Sequence, residues 1–183
     1  MLGAFFAAAM LVPELELQAG YLTDGATSAP AAALRTGVDL NDLFSVSLHF
    51  TDAVGSPLDH ASGASPNLDP SGFRAWRMLL EVRLHSRGPL QLHVAGAAGI
   101  AQLSDWQCNC NEVEWLHGKP AFSARAAAGV RWLWNGGLTF STELEVSRWS
   151  GLKLDPSIPA YVQSQPASHI TYGLLAGIGY RWH

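Results

Sequence analysis

From Ile170 to Trp182 every second residue is apolar: Ile170, Tyr172, Leu174, Ala176, Ile178, Tyr180 and Trp182, with Thr171, Gly173, Gly177, Gly179 and Arg181 among those between. A period of two marks a strand with two unlike faces. The pattern recurs at Leu15, Leu17, Ala19 and Tyr21, then in pairs of runs around three tight connections, Asn41-Asp42-Leu43, Ser86-Arg87-Gly88-Pro89 and Trp134 to Gly137. Leu34 to Leu40 enters the first and Phe44 to Phe50 leaves it; Met78 to Leu84 and Leu90 to Ile100 flank the second; Phe122 to Trp132 and Leu138 to Val146 flank the third. Eight strands follow, joined alternately by these three tight connections and four longer ones.

The interleaved positions say which face meets what. A water-facing exterior needs charge along its length, whereas a narrow interior needs small residues. Here small residues dominate: Gln91, His93, Ala95, Ala97 and Gly99 in one strand, Ser123, Arg125, Ala127, Gly129 and Arg131 in the next. The apolar face carries no charge within the strand cores, and the only lysines, Lys119 and Lys153, fall in long connections. An uncharged face of about 9–11 residues per strand is what a tilted strand needs to cross a bilayer. Charged residues make up 14% of the chain, against about 25% in an average globular protein. No apolar run reaches the roughly 18 residues of a membrane helix, which leaves a closed barrel to satisfy the backbone in lipid. The net charge of −4 offers no basic footprint for nucleic acid. Trp132 and Trp134, Tyr180 and Trp182, and Trp106, Trp115, Trp149 and Phe122 sit near strand ends, where two interfacial girdles would lie.

On strand count, tight turns, longer loops and the terminal run Tyr172 to Trp182, the chain over residues 14–182 resembles the small bacterial outer-membrane barrels. That group includes the OmpA transmembrane domain, OmpX, OmpW and the lipid A-modifying enzymes PagP and PagL. The resemblance implies an all-β, closed, up-and-down, eight-stranded antiparallel transmembrane barrel in the bacterial outer membrane, with short periplasmic turns and long external loops. It implies as partners the lipid bilayer, lipopolysaccharide and the barrel-assembly machinery, which reads the C-terminal strand. One departure is the final His183 after Trp182. Residues 1–13 form a separate apolar segment, a truncated signal peptide or a retained extension, and residues 14–183 form the barrel. Ala7-Ala8-Ala9 is a cleavage-like stretch without a basic region before it.

Each tight turn fixes a register, and each register fixes lumenal neighbours. Leu40 opposite Phe44 sets Arg35 against His49, Gly37 against Ser47 and Asp39 against Ser45. Leu84 opposite Leu90 sets Glu81 against His93 and Arg83 against Gln91. Trp134 opposite Leu138 sets Arg131 against Ser141, diagonal to Glu143. With Glu14, Glu16, Arg77, Arg125, Glu145 and Arg181, six inward acids meet six inward arginines. A buried charge needs a partner, so a balanced set in a narrow barrel predicts an interlocked plug. Its expected members are Glu16, Arg35, His49, Glu81, Arg83, His93, Arg125, Arg131, Glu143, Glu145 and Arg181. A narrow channel for small solutes is the alternative.

Catalytic readings are weaker. Ser47, His49 and Asp39 have the residue types of a hydrolytic triad, but the register places Asp39 away from His49. Glu81 with His93 has the types of an acid–base pair. For a PagL-like lipid-modifying hydrolase, the candidates are Ser168 and His169 at an expected outer rim; His85-Ser86 lies at a short turn. Residues 105–117 hold both cysteines, Cys108 and Cys110. A strained single-residue disulfide, free thiols, partner attachment, or a metal set completed by Glu112, Glu114 or His117 are open there. Cys-x-Cys lacks the zinc-like Cys-x-x-Cys spacing, and no cofactor or metal is expected. The leading expectation is a structural or binding role, through external loops or within an envelope complex. A soluble lipocalin-like carrier is the last rival, with Gln91, His93, Arg125 and Glu143 outside.

Overall fold

A computed structural model describes residues 11–23, 28–55, 72–109, 112–117, 120–150 and 168–182. Its strands are β1 (Val12–Thr23), β2 (Ser28–Asp39), β3 (Phe44–Gly55), β4 (Gly72–His85), β5 (Leu90–Asn109), β6 (Glu112–His117), β7 (Ala121–Leu133), β8 (Leu138–Ser150) and β9 (Ser168–Arg181). They form one antiparallel sheet in the order β4-β3-β2-β1-β9-β8-β7-β5-β6, and the additional β4–β5 pairing closes it. Eight strands make the wall, since β6 pairs only with the outer end of β5. Closure leaves no open edge in the wall, as a barrel in lipid requires. The seam joins β1 to β9 with Glu14 opposite Arg181.

The burial pattern is inverted relative to a water-soluble protein. Leu17, Leu48, Leu80, Leu92, Leu144 and Leu174 are each at least half exposed on the outer wall, whereas Arg35, Arg77, His49 and Glu81 are fully buried inside. Gln91, His93, Arg125 and Glu143 are buried too. That placement removes the soluble-carrier reading, which needs those four outside. At the turn end the outward aromatics form a belt: Trp132 stacks against Trp134 at 5.0 Å and Phe140 at 6.4 Å, and Tyr180 meets Trp182 edge-on at 5.2 Å. Tyr21, Phe122 and Tyr172 stand exposed towards the loop end. The side chains of Trp106, Trp115 and Trp149 lie outside the described residues.

Two of the three turn registers are those expected. Arg35 lies opposite His49 and Asp39 opposite Ser45, and Arg131 lies opposite Ser141. The second is displaced by four residues. His85 opposes His93, so Glu81 faces Ala97 and Arg83 faces Ala95. Ser86 is still held to Leu92, by its N–H to the Leu92 carbonyl at 2.8 Å and by the Leu92 N–H to its Oγ at 2.9 Å. The residues between β4 and β5 are Ser86-Arg87-Gly88-Pro89, as expected; the difference is that Leu90 and Leu92 pair with β7 and the β4–β5 ladder begins only at His85 and His93. Two of the longer connections are also corrected. The first spans only residues 24–27, because β1 and β2 run further than their alternation shows. The stretch 105–117 is no plain loop: β5 continues to Asn109 and pairs back on β6, with Trp106 opposite Trp115.

The third turn depends on glycine. Gly137 has φ +90°, and a Cβ there would lie 2.2 Å from the Arg181 carbonyl oxygen. At Gly88, φ is +106° but the space is open. Gly88→Ala is expected to cost about 1 kcal/mol, from backbone conformation alone. Gly137→Ala adds the clash and should cost clearly more in urea titrations of the refolded barrel.

Candidate functional site: the charged lumen

Alternation along the wall strands sends the charged side chains inward, and the narrow bore of eight strands brings opposite walls within reach. Arg35 on β2 is the hub. Its Nη1 donates to Glu16 Oε2 at 3.0 Å, its Nε lies 2.8 Å from Glu81 Oε1, and its Nη2 donates to Glu143 Oε2 at 2.8 Å. One guanidinium thus ties β1, β4 and β8 to β2. Arg125 is a second hub, in contact with Glu81 and Glu143 and 2.6 Å from Glu145 Oε2. Arg77 continues the chain, with Nη2 2.5 Å from Glu145 Oε1 and Nε donating to Thr51 Oγ1 at 3.1 Å. Towards the turn end, Arg83 lies 3.1 Å from Glu81 and 3.4 Å from Glu14. Arg131 pairs with Glu14 and donates twice to Gln91 Oε1, at 3.0 and 3.1 Å. Arg181 Nε lies 2.8 Å from Asp39 Oδ2.

The expected lumenal residues therefore all point inward, but several partners differ from those the registers suggested. Glu81 does not pair with His93; it meets Arg35, Arg83 and Arg125, while His93 Nε2 donates to Glu143 Oε2 at 3.0 Å. The four-residue displacement of β5 on β4 is the cause. Arg83 likewise leaves Gln91 to Arg131. Gln18, Thr51, Ser141 and Ser147 complete the network and were not among the expected members; their inward parity was the available signal.

The triad types do not assemble. His49 Nε2 donates to Gln18 Oε1 at 3.2 Å, its Nδ1 accepts from Thr51 Oγ1 at 3.4 Å, and Ser47 Oγ donates to Glu81 Oε1 at 3.3 Å. Both ring nitrogens are committed, so this imidazole has no free base for a serine. Asp39 lies instead near His85, Arg131 and Arg181. Ser168 and His169 open β9 opposite Ser150 and Trp149, but their side chains lie outside the described residues. So do the side chain of Cys108 and the whole of Cys110.

Glycines on β9 make room for the network. A Cβ on Gly177 would sit 2.7 Å from Glu16 Oε1 and 2.8 Å from Ser141 Oγ, and one on Gly173 would sit 2.6 Å from Glu145 Cγ. Gly177→Val should cost about 1–3 kcal/mol by overpacking, measurable by the same urea titration. Beyond the charges, towards the loop end, an apolar layer crosses the lumen: Leu22, Ala29, Ala31, Ala53, Ala75, Ala101 and Leu175, with Ala121 packed against them. Every wall strand except β8 contributes to it.

Neither a comparison with protein families nor one with curated sequences gives a match. Solved structures do. Neisserial surface protein A superposes with a TM-score of 0.60 at 7% identity, covering 93% of this chain and 96% of its own. A major outer membrane protein of Thermus thermophilus gives 0.58 at 11%, covering 93% and 99%. Ail, the attachment invasion locus protein of Yersinia pestis, gives 0.55 at 13%, covering 94% and 97%. At such identities the likeness is one of fold. The fold is that of the small eight-stranded outer-membrane barrels, and the apolar outer wall suits that setting.

Proposed function

We propose that this protein is an outer-membrane barrel whose lumen is closed and whose role is structural or binding. It would act through its external loops or as a subunit of an envelope complex. One observation carries the closed-lumen part: Arg35 and Arg125 tie carboxylates from β1, β4 and β8 across the bore. A wide aqueous path needs charges that line a wall; these cross the middle, behind an apolar layer. With the bore occupied, the surface left for interaction is the loop end, from which the β5–β6 hairpin projects.

Two experiments test the parts separately. Vesicles containing the refolded protein should retain entrapped chloride and a small sugar as well as empty vesicles do; rapid efflux would overturn the closed lumen. Deleting residues 105–117 should abolish partner co-purification from envelopes while the barrel still folds. Unchanged recovery would count against the hairpin as the binding element.

A further inference from the structure

The lumen changes character at the turn end. In its middle, the arginines are met by carboxylates at close range. Nearer the turns, six side chains from five strands, Glu14, Asp39, Ser45, Arg83, His85 and His93, are more than nine-tenths buried. Asp39 Oδ1, Ser45 Oγ, Arg83 Nε, both ring nitrogens of His85 and His93 Nδ1 have no hydrogen-bond partner among the described residues, while Glu14 Oε1 and Arg83 Nη1 face each other at 3.4 Å. They are neighbours in register, Asp39 opposite Ser45, Ser45 opposite Arg83, and His85 opposite His93. His85 Nε2 stands 3.8 Å from Asp39 Oδ1, and Arg131 Nη2 stands 3.9 Å from the same oxygen. Such spacings are too long for a direct hydrogen bond and suit a bridging water. Donors and acceptors are mixed in the set, as a water cluster requires.

A recess of about 240 Å3 at the turn end is lined by Asp42, Arg87, Gly88, Gln91, Leu133 and Arg181. Arg181 lines the recess and reaches the cluster, since its Nε lies on Asp39 Oδ2 and its side chain is 14% exposed. Behind it, Ala95 lies opposite Arg83, and Gly129 opposite His93 lets the imidazole pack close, since a Cβ there would sit 2.9 Å from its Cε1.

We propose that the turn-end part of the lumen is a one-sided hydrated vestibule. It is entered from the recess past the Arg181–Asp39 pair, holds ordered water and admits small polar solutes from the turn side. It ends blindly at the Arg35 hub. In the barrels this fold resembles, that side is the periplasm. The vestibule rests on the closed-lumen reading and refines it, because it places the permeability barrier in the middle and loop-end parts of the bore.

Cysteine accessibility tests it, in a background with Cys108→Ser and Cys110→Ser. Ser45→Cys should be modified by a small water-soluble thiosulfonate in the folded barrel, and Arg181→Gln should speed that reaction. Ala53→Cys, in the apolar layer, should stay unmodified until the protein is unfolded. An unreactive Ser45→Cys beside a reactive Gln91→Cys would overturn the vestibule and leave the closed lumen standing. Modification of both Ser45→Cys and Ala53→Cys would overturn both readings. If the cysteine variants fail to fold, carbethoxylation of the unaltered protein decides. His85 should be modified and His49 spared, and an unmodified His85 would sink the proposal.

Discussion

Replacing Arg35 by leucine should cost about 3–5 kcal/mol of unfolding free energy, the scale on which removing one partner of a buried ion pair destabilises a protein. Arg35 is fully buried and touches Glu16, Glu81 and Glu143 at once. Its loss leaves three buried carboxylates short of a cationic partner, so the effect should be as large as single substitutions usually give. Urea titration of the refolded barrel, followed by tryptophan fluorescence, would measure it. The bidentate pair between Arg74 and Asp52 provides the contrast: its contacts are as short, 2.7 and 2.9 Å, but Arg74 is half exposed. Arg74→Leu should barely change the midpoint, because exposed pairs gain little in high dielectric. If Arg35→Leu were equally mild, the network would not be holding the walls together.

The second large effect belongs to the outer wall. Leu144 lies midway along β8, opposite Ala128 and Leu174, with 64% of its surface exposed. Leu144→Arg should cost about 2–4 kcal/mol in a bilayer, whereas Leu90→Arg beside the aromatic belt should cost about 0–1 kcal/mol, because the penalty depends on depth. Unfolding titrations in lipid vesicles would show the difference. A barrel immersed in water would give no such depth dependence, so equal and small effects at both sites would contradict the membrane placement.

Alternation made the wall legible. Once Leu40 is set opposite Phe44 and Trp134 opposite Leu138, every lumenal neighbour on β2–β3 and β7–β8 follows. The second turn was not legible, for a definite reason. Sliding β5 on β4 by four residues keeps every side chain on its face, so apolar parity cannot distinguish Leu84 opposite Leu90 from Leu84 opposite Val94. Ser86, by capping the Leu92 N–H, favours the displaced register, and that signal lies in side-chain chemistry. The β5–β6 hairpin was hidden because residues 105–117 carry acids, amides and cysteines in place of clean alternation. The pairing of charges across the bore lay further out of reach. Arg35 and Glu143 are 108 residues apart on strands that are not neighbours, and only the closed geometry brings them together. Inward parity predicted that the lumenal charges balance; it said nothing of which arginine serves as hub.

Ion current through single proteins in a planar bilayer tests the closed lumen most directly. The account predicts no conductance steps from the unaltered barrel. Stable conductance from the unaltered protein would contradict it.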